Sequence, residues 1–137
     1  MNIAALYHLF KQSSGISTDT RKIKPGNIFF ALKGANFNGN LFALEALEKG
    51  ASYVVADENH FGNNSRILLV DDSLKTLQRL AQFHRRTFTG KVIALTGSNG
   101  KTTTKELILA TLATTFNTFA TQGNLNNHIG IPLTLLA

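Results

Sequence analysis

Val92-Ile93-Ala94-Leu95-Thr96-Gly97-Ser98-Asn99-Gly100-Lys101-Thr102-Thr103-Thr104 reads as an apolar strand, a glycine turn, and a helix that opens on a lysine and hydroxyls. Glycines let backbone N–H groups converge on phosphate oxygens, a helix N-terminus adds partial positive charge, and Lys101 and Thr102 supply a cation and a Mg2+ ligand. The segment is not a Walker A motif, because Leu95 stands where that motif has its first glycine. It fits a shorter form, G-x-x-G-K-T-T. A plain strand-to-helix turn with a solvated lysine is the alternative. The strand before the turn and the apolar helix face Leu107, Ile108, Leu112 after it favour nucleotide phosphate bound by Gly97, Ser98, Asn99, Gly100, Lys101, Thr102 and Thr103.

Composition sets the outer bounds. With 137 residues, 43% of them apolar, the chain suits one ordinary domain or two small ones with a real core. No apolar run is long enough to cross a bilayer and no secretory signal pattern opens the sequence, so a cytoplasmic location and no membrane partner are expected. The absence of cysteine excludes disulfides and thiolate metal sites. Fourteen basic against 8 acidic side chains give a net charge of +6, which favours anionic ligands. The basic residues are dispersed and lack interleaved aromatics, so nucleic acid is not an expected partner.

Around the glycine turn the pattern is strand, helix, strand, helix, the signature of an α/β fold. Ile3, Leu6, Tyr7 and Phe10 at helical spacing predict a helix over 2–12. A buried strand is expected over 28–32, preceded by a type II turn at Lys24-Pro25-Gly26-Asn27 and followed by a loop over 33–40. A helix over 41–49 would take Asn40 as N-cap and Gly50 as its stop. Strands over 53–56 and 67–70 and a helix over 73–87, capped by Asp72 or Ser73, complete a first unit at 1–87. A second unit, 88–137, would hold a strand over 91–95, the phosphate loop and a helix to about 115. A strand over 118–121 and a helix started by Pro132 would follow. A doubly wound sheet needs more strands than that second unit offers, so the chain is expected to be a fragment of a longer protein.

Three stretches, met in order, resemble the Mur ligase family of peptidoglycan synthesis, in the type that adds D-alanyl-D-alanine. They are residues 16–22 running on through 26–34, then 96–104, then Gly123-Asn124-Leu125-Asn126-Asn127-His128-Ile129-Gly130-Ile131-Pro132. The resemblance implies a small UDP-binding α/β domain followed by the truncated start of a P-loop ATPase domain. It implies an ATP-dependent ligase that phosphorylates the carboxylate of UDP-N-acetylmuramoyl tripeptide and joins it to the amine of D-alanyl-D-alanine. ATP and Mg2+ would be its cofactors. Lys101 and Thr102 would be catalytic, Lys101 on the β/γ-phosphates and Thr102 on Mg2+.

For the nucleotide sugar the resemblance implies contacts at Thr18, Thr20, Asn36, Phe37 and Asn38; for the substrate side of the ATP site, Asn124, Asn126 and Asn127. Read as residues alone, the stretch around Asp19 favours an Asx-type turn with an exposed Arg21, and the asparagines favour local loop and backbone-capping roles. His8, His60, His84 and His128 are expected to be structural or solvated, since none has a partner at ligand spacing. The fragment alone is expected to be inactive, with part of the second unit's apolar surface either exposed or covered by another copy of the chain. A stand-alone nucleotide or nucleotide-sugar binding module is one alternative. A sibling Mur ligase or folylpolyglutamate synthetase is another.

Overall fold

The computed structural model describes residues 2–123, 125 and 127–137. Its centre is a four-stranded, all-parallel sheet built from β1 (Ile16–Ser17), β2 (Ile28–Phe30), β5 (Tyr53–Ala56) and β6 (Ile67–Leu69), in that spatial order. Between β2 and β5 lie a short antiparallel hairpin, β3 (Lys33–Gly34) with β4 (Phe37–Asn38), a 3-10 turn at Gly39–Phe42 and helix α2 (Ala43–Glu48). Helix α1 (Ile3–Gln12) precedes the sheet. Helix α3 (Ser73–Thr87), α4 (Lys101–Leu112) and α5 (Gly130–Leu135) follow it.

Period-2 alternation along the strands sorts the core into two layers. Ile28 and Phe30 of β2 and Val55 of β5 face α1 and α3, meeting Leu6, Leu77, Leu80 and Ala81. Phe29, Val54 and Ala56 face the other way onto Ala43, Ala46 and Leu47 of α2. Both sheet faces are therefore covered by helices, as the continuous apolar run Ile28-Phe29-Phe30-Ala31-Leu32 requires, and all five residues are buried. The α/β class expected from the sequence is the fold found.

Local signals explain most boundaries. Asn2 caps α1 by accepting the Ala4 amide, and Asp72 caps α3 by accepting that of Lys75. The turn before β2 closes through the Asn27 amide on Lys24 O at 3.0 Å, with Gly26 at φ 88°. Strands expected to reach residues 32 and 70 stop at Phe30 and Leu69, and the phosphate-loop helix ends at Leu112.

Two expected strands are not formed. Residues 91–95 and 118–121 carry no ladder, and Val92, Ile93 and Leu95 are exposed. A parallel strand exists only by pairing, and every strand of the sheet comes from residues 16–69, so these apolar runs have no neighbour among the described residues. Of the expected apolar face of α4, Leu107 is likewise exposed. The chain nevertheless returns to the first core at its end. Helix α5 packs on α3, Leu136 is buried in the α1/α3 layer, and the Gln78 side chain donates to His128 O at 3.1 Å.

Asn40 is also corrected. It does not cap α2, whose N-cap residue is Phe42 and makes no side-chain cap bond. It is fully buried, and Asn38 accepts its amide instead. The loop expected over 33–40 contains the β3–β4 hairpin, which no pattern in the sequence announces.

Candidate functional site

The candidate phosphate cradle is built from the chain outward. Gly100 sits at the N-cap of α4 with φ 76°, a left-handed conformation that glycine adopts without a Cβ penalty. The first amide to find a helical acceptor is that of Thr104, on Gly100 O at 2.9 Å, so the amides of Lys101, Thr102 and Thr103 are the free donors of the helix end. Lys101 Nζ folds back over the loop and donates to Gly97 O, with Ser98 O 3.4 Å away. The hydroxyls of Thr102 and Thr103 are at the exposed helix start. Three backbone donors, one ammonium and two hydroxyls at a positive helix end suit a polyphosphate, and the Thr102 hydroxyl is an oxygen donor that could serve a hard cation. Among the described residues no cluster of three or more His, Asp or Glu offers a metal site of its own.

Lys105, one helical turn after Lys101, is a residue the sequence reading passed over. Its side chain is mostly buried, pairs with Glu106 at 2.8 Å, and donates to Thr121 O, tying α4 to the segment that leads into the asparagine loop. In that loop Asn127 Oδ1 accepts the amides of Ile129 at 3.0 Å and Gly130 at 2.7 Å, which closes the turn leading into α5. Asn124 and Asn126 lie outside the described residues.

A second constellation forms beyond the carboxyl ends of the parallel strands, the edge where open α/β sheets place their ligands. Thr18 follows β1 directly. Ser17 Oγ donates to Asp19 O at 2.9 Å, and the Asp19 carboxylate accepts the Arg21 amide and both arms of its guanidinium at 2.7–3.0 Å. That guanidinium holds the Asp19 carboxyl far below the usual carboxylate range. Near Thr20, the Glu45 carboxylate pairs with Lys49 at 2.6 Å, which chiefly holds it below its ordinary value.

After β2 the hairpin projects at this same edge. Asn36 is at its tip, and Phe37 stacks on Phe42 with ring centroids 5.5 Å apart and planes 9° from parallel. Phe37 remains 52% exposed. Asn38 is engaged within the chain: its Oδ1 accepts the Asn40 amide and Nδ2, and its own Nδ2 donates to Glu58 Oε1 at 3.0 Å.

Behind the hairpin lies a polar network absent from the sequence reading. Asp57, at the end of β5, accepts Lys33 Nζ at 3.0 Å, Asn40 Nδ2 at 2.9 Å and the Ser73 amide at 3.2 Å, while its own amide donates to Asn40 Oδ1 at 3.1 Å. Burial pushes the Asp57 carboxyl up, but the bonds from Lys33, Asn40 and Ser73 outweigh it and hold the group below its usual value. The only advance signal is position, a carboxylate directly after a buried strand.

A parallel α/β sheet with a glycine-capped helix start and polar groups beyond its strand ends defines, as a class, an α/β protein with the features of nucleotide-binding folds. Residues 12–85 match the family model described as "Mur ligase family, catalytic domain", and residues 95–137 match that of the Mur ligase middle domain. The chain belongs to the Mur ligase family. It is 46% identical over 125 residues, 90% of its length, to the UDP-N-acetylmuramoyl-tripeptide–D-alanyl-D-alanine ligase of Bacillus subtilis, and 45% identical over 125 residues, again 90% of its length, to that of Synechocystis. It superposes on the crystal structure of MurF ligase from Thermotoga maritima in complex with ADP with a TM-score of 0.81 at 37% identity, covering 93% of this chain and 29% of that one. The chain spans 27–28% of the length of these two curated relatives.

Proposed function

We propose that this chain carries the nucleotide-sugar edge and the ATP phosphate loop of a ligase that joins D-alanyl-D-alanine to UDP-N-acetylmuramoyl tripeptide. The observation that carries the reading is the helix start at Gly100–Lys101, in a chain whose two stretches match successive Mur ligase models. The free amides of Lys101, Thr102 and Thr103 and the Lys101 ammonium would neutralise ATP phosphate oxygens, lowering the cost of charge on the transferring group. Thr102 would hold Mg2+, which supplies further charge neutralisation when bound. For Lys101 this requires only that its side chain swing off Gly97 O and Ser98 O.

At the sheet edge, Thr18, Thr20 and Asn36 offer hydrogen-bonding groups to uracil and ribose, and Phe37 offers a flat apolar face. Asn38 supports the hairpin from within. Asn127 holds α5 through its Oδ1 and keeps its Nδ2 for substrate. Units 1–87 and 88–137 would thus bind two different ligands. We place this activity in the cytoplasm; among the described residues no helix is long and apolar enough to cross a membrane.

Separate titrations of the chain with UDP-N-acetylmuramoyl tripeptide and with Mg-ATP test this. Both should bind, and Lys101→Ala should remove only the second. In the longer ligase the same substitution should lower ligation on the order of a thousandfold, while the 137-residue chain should give no muramyl pentapeptide even with both substrates and Mg2+. Loss of UDP-sugar binding in the Lys101 variant would refute the two-site assignment.

A further inference from the structure

The β3–β4 hairpin has two residues per strand and a two-residue tip, far too little to hold its own position in water. Both of its strands are instead tied to one acidic residue. Lys33 Nζ from β3 and Asn38 Nδ2 from β4 each reach Glu58 Oε1 at 3.0 Å, and Lys33 reaches Asp57 at the same distance. The Lys33 and Glu58 side chains are 45% and 30% exposed, so this contact adds little to global stability. What it sets is where the hairpin stands. Beyond the clamp, one face of Phe37 is taken by Phe42 in near-parallel stacking and the other is open. The result is a planar platform held in advance of any ligand.

We infer that Glu58 and Lys33 are positioning residues for pyrimidine-nucleotide binding, fixing the hairpin so that Phe37 and Asn36 meet the base at the sheet's carboxyl edge. The inference rests on the nucleotide-sugar reading of that edge. Preorganisation makes a specific demand. Without the clamp the hairpin must be ordered at the moment of binding, which weakens affinity. Electrostatics alone demands the reverse, because deleting a carboxylate near an anionic diphosphate should tighten binding.

Calorimetric titration of UDP into the chain and into Glu58→Ala, Glu58→Gln and Lys33→Met, each with its thermal midpoint, separates these outcomes. Glu58→Ala should bind UDP about tenfold more weakly with a nearly unchanged midpoint. Lys33→Met should bind as weakly but with a lowered midpoint, because it also strips the mostly buried Asp57 carboxylate of its cation. Glu58→Gln, whose amide oxygen still accepts from Asn38 and Lys33, should recover most of the affinity. Equal or tighter binding by Glu58→Ala, or a glutamine variant as weak as the alanine, would overturn the positioning role while leaving the nucleotide site in place. Failure of the unsubstituted chain to bind UDP would overturn the nucleotide-sugar reading and this inference with it.

Discussion

Replacing Asn40 with alanine discriminates between two physical accounts of one residue. As a helix N-cap on the surface, Asn40 would contribute about 1 kcal/mol. In the structure its side chain is wholly buried and makes three hydrogen bonds: Nδ2 to the Asp57 carboxylate at 2.9 Å, Nδ2 to Asn38 Oδ1 at 2.9 Å, and Oδ1 from the Asp57 amide at 3.1 Å. Loss of the bond to the carboxylate costs about 1.5–3 kcal/mol, and the Asp57 amide left without an acceptor costs about 1–3 kcal/mol more. The Asn38 bond adds roughly 1 kcal/mol, partly offset by water entering the space. The expected loss for Asn40→Ala is about 4 kcal/mol, which for a chain of this size lowers the melting midpoint by more than about 10 °C. Urea unfolding followed by far-ultraviolet circular dichroism, with the slope compared between the two proteins, gives the difference directly. A loss below about 1.5 kcal/mol at unchanged slope would return Asn40 to the role of a cap and dissolve the network argued from it.

Gly39→Ala should destabilise by at least about 2 kcal/mol, because the added Cβ would stand 2.6 Å from Leu32 O and 2.8 Å from Leu32 N, both backbone atoms that cannot turn aside; a melting curve matching the parent would refute the close approach. Acid should weaken the fold through Asp57: its folded carboxyl is held below the usual 3.8, so its contribution is present above that value and fades as pH falls through the lower folded one. Asp57→Asn should flatten that part of a stability-versus-pH series, and an unchanged series would sink the assignment. His84 acts through the same linkage at milder pH. Burial, with Lys11 nearby, lowers its folded value below 6.5, so stability should begin to fall as pH drops below 6.5, and His84→Phe should remove that dependence when unfolding is followed between pH 5 and 7.5. The bond from Tyr7 to His84 Nδ1 at 3.2 Å is the contact expected to change first.

How much was legible in the sequence follows from the range of the forces involved. The α/β class, the helices capped by Asn2 and Asp72, the turn at Pro25-Gly26 and the glycine turn that opens a helix at Lys101 were all readable, because caps, turns and hydrophobic periodicity act within a few residues of the chain. The same locality misled at residues 91–95, where an apolar run spells a strand but a strand also needs a partner, and no described residue supplies one. Only the tertiary structure brought Lys33, Asn38, Asn40, Asp57, Glu58 and Ser73 to one edge. A buried polar group takes whatever partner the packed sheet presents, here 17 residues away for Asn40 and Asp57, and no local pattern encodes that choice. The hairpin belongs to the same class. Its few residues have no stability of their own, so its existence and its aim were decided by the carboxylates at the end of a neighbouring strand.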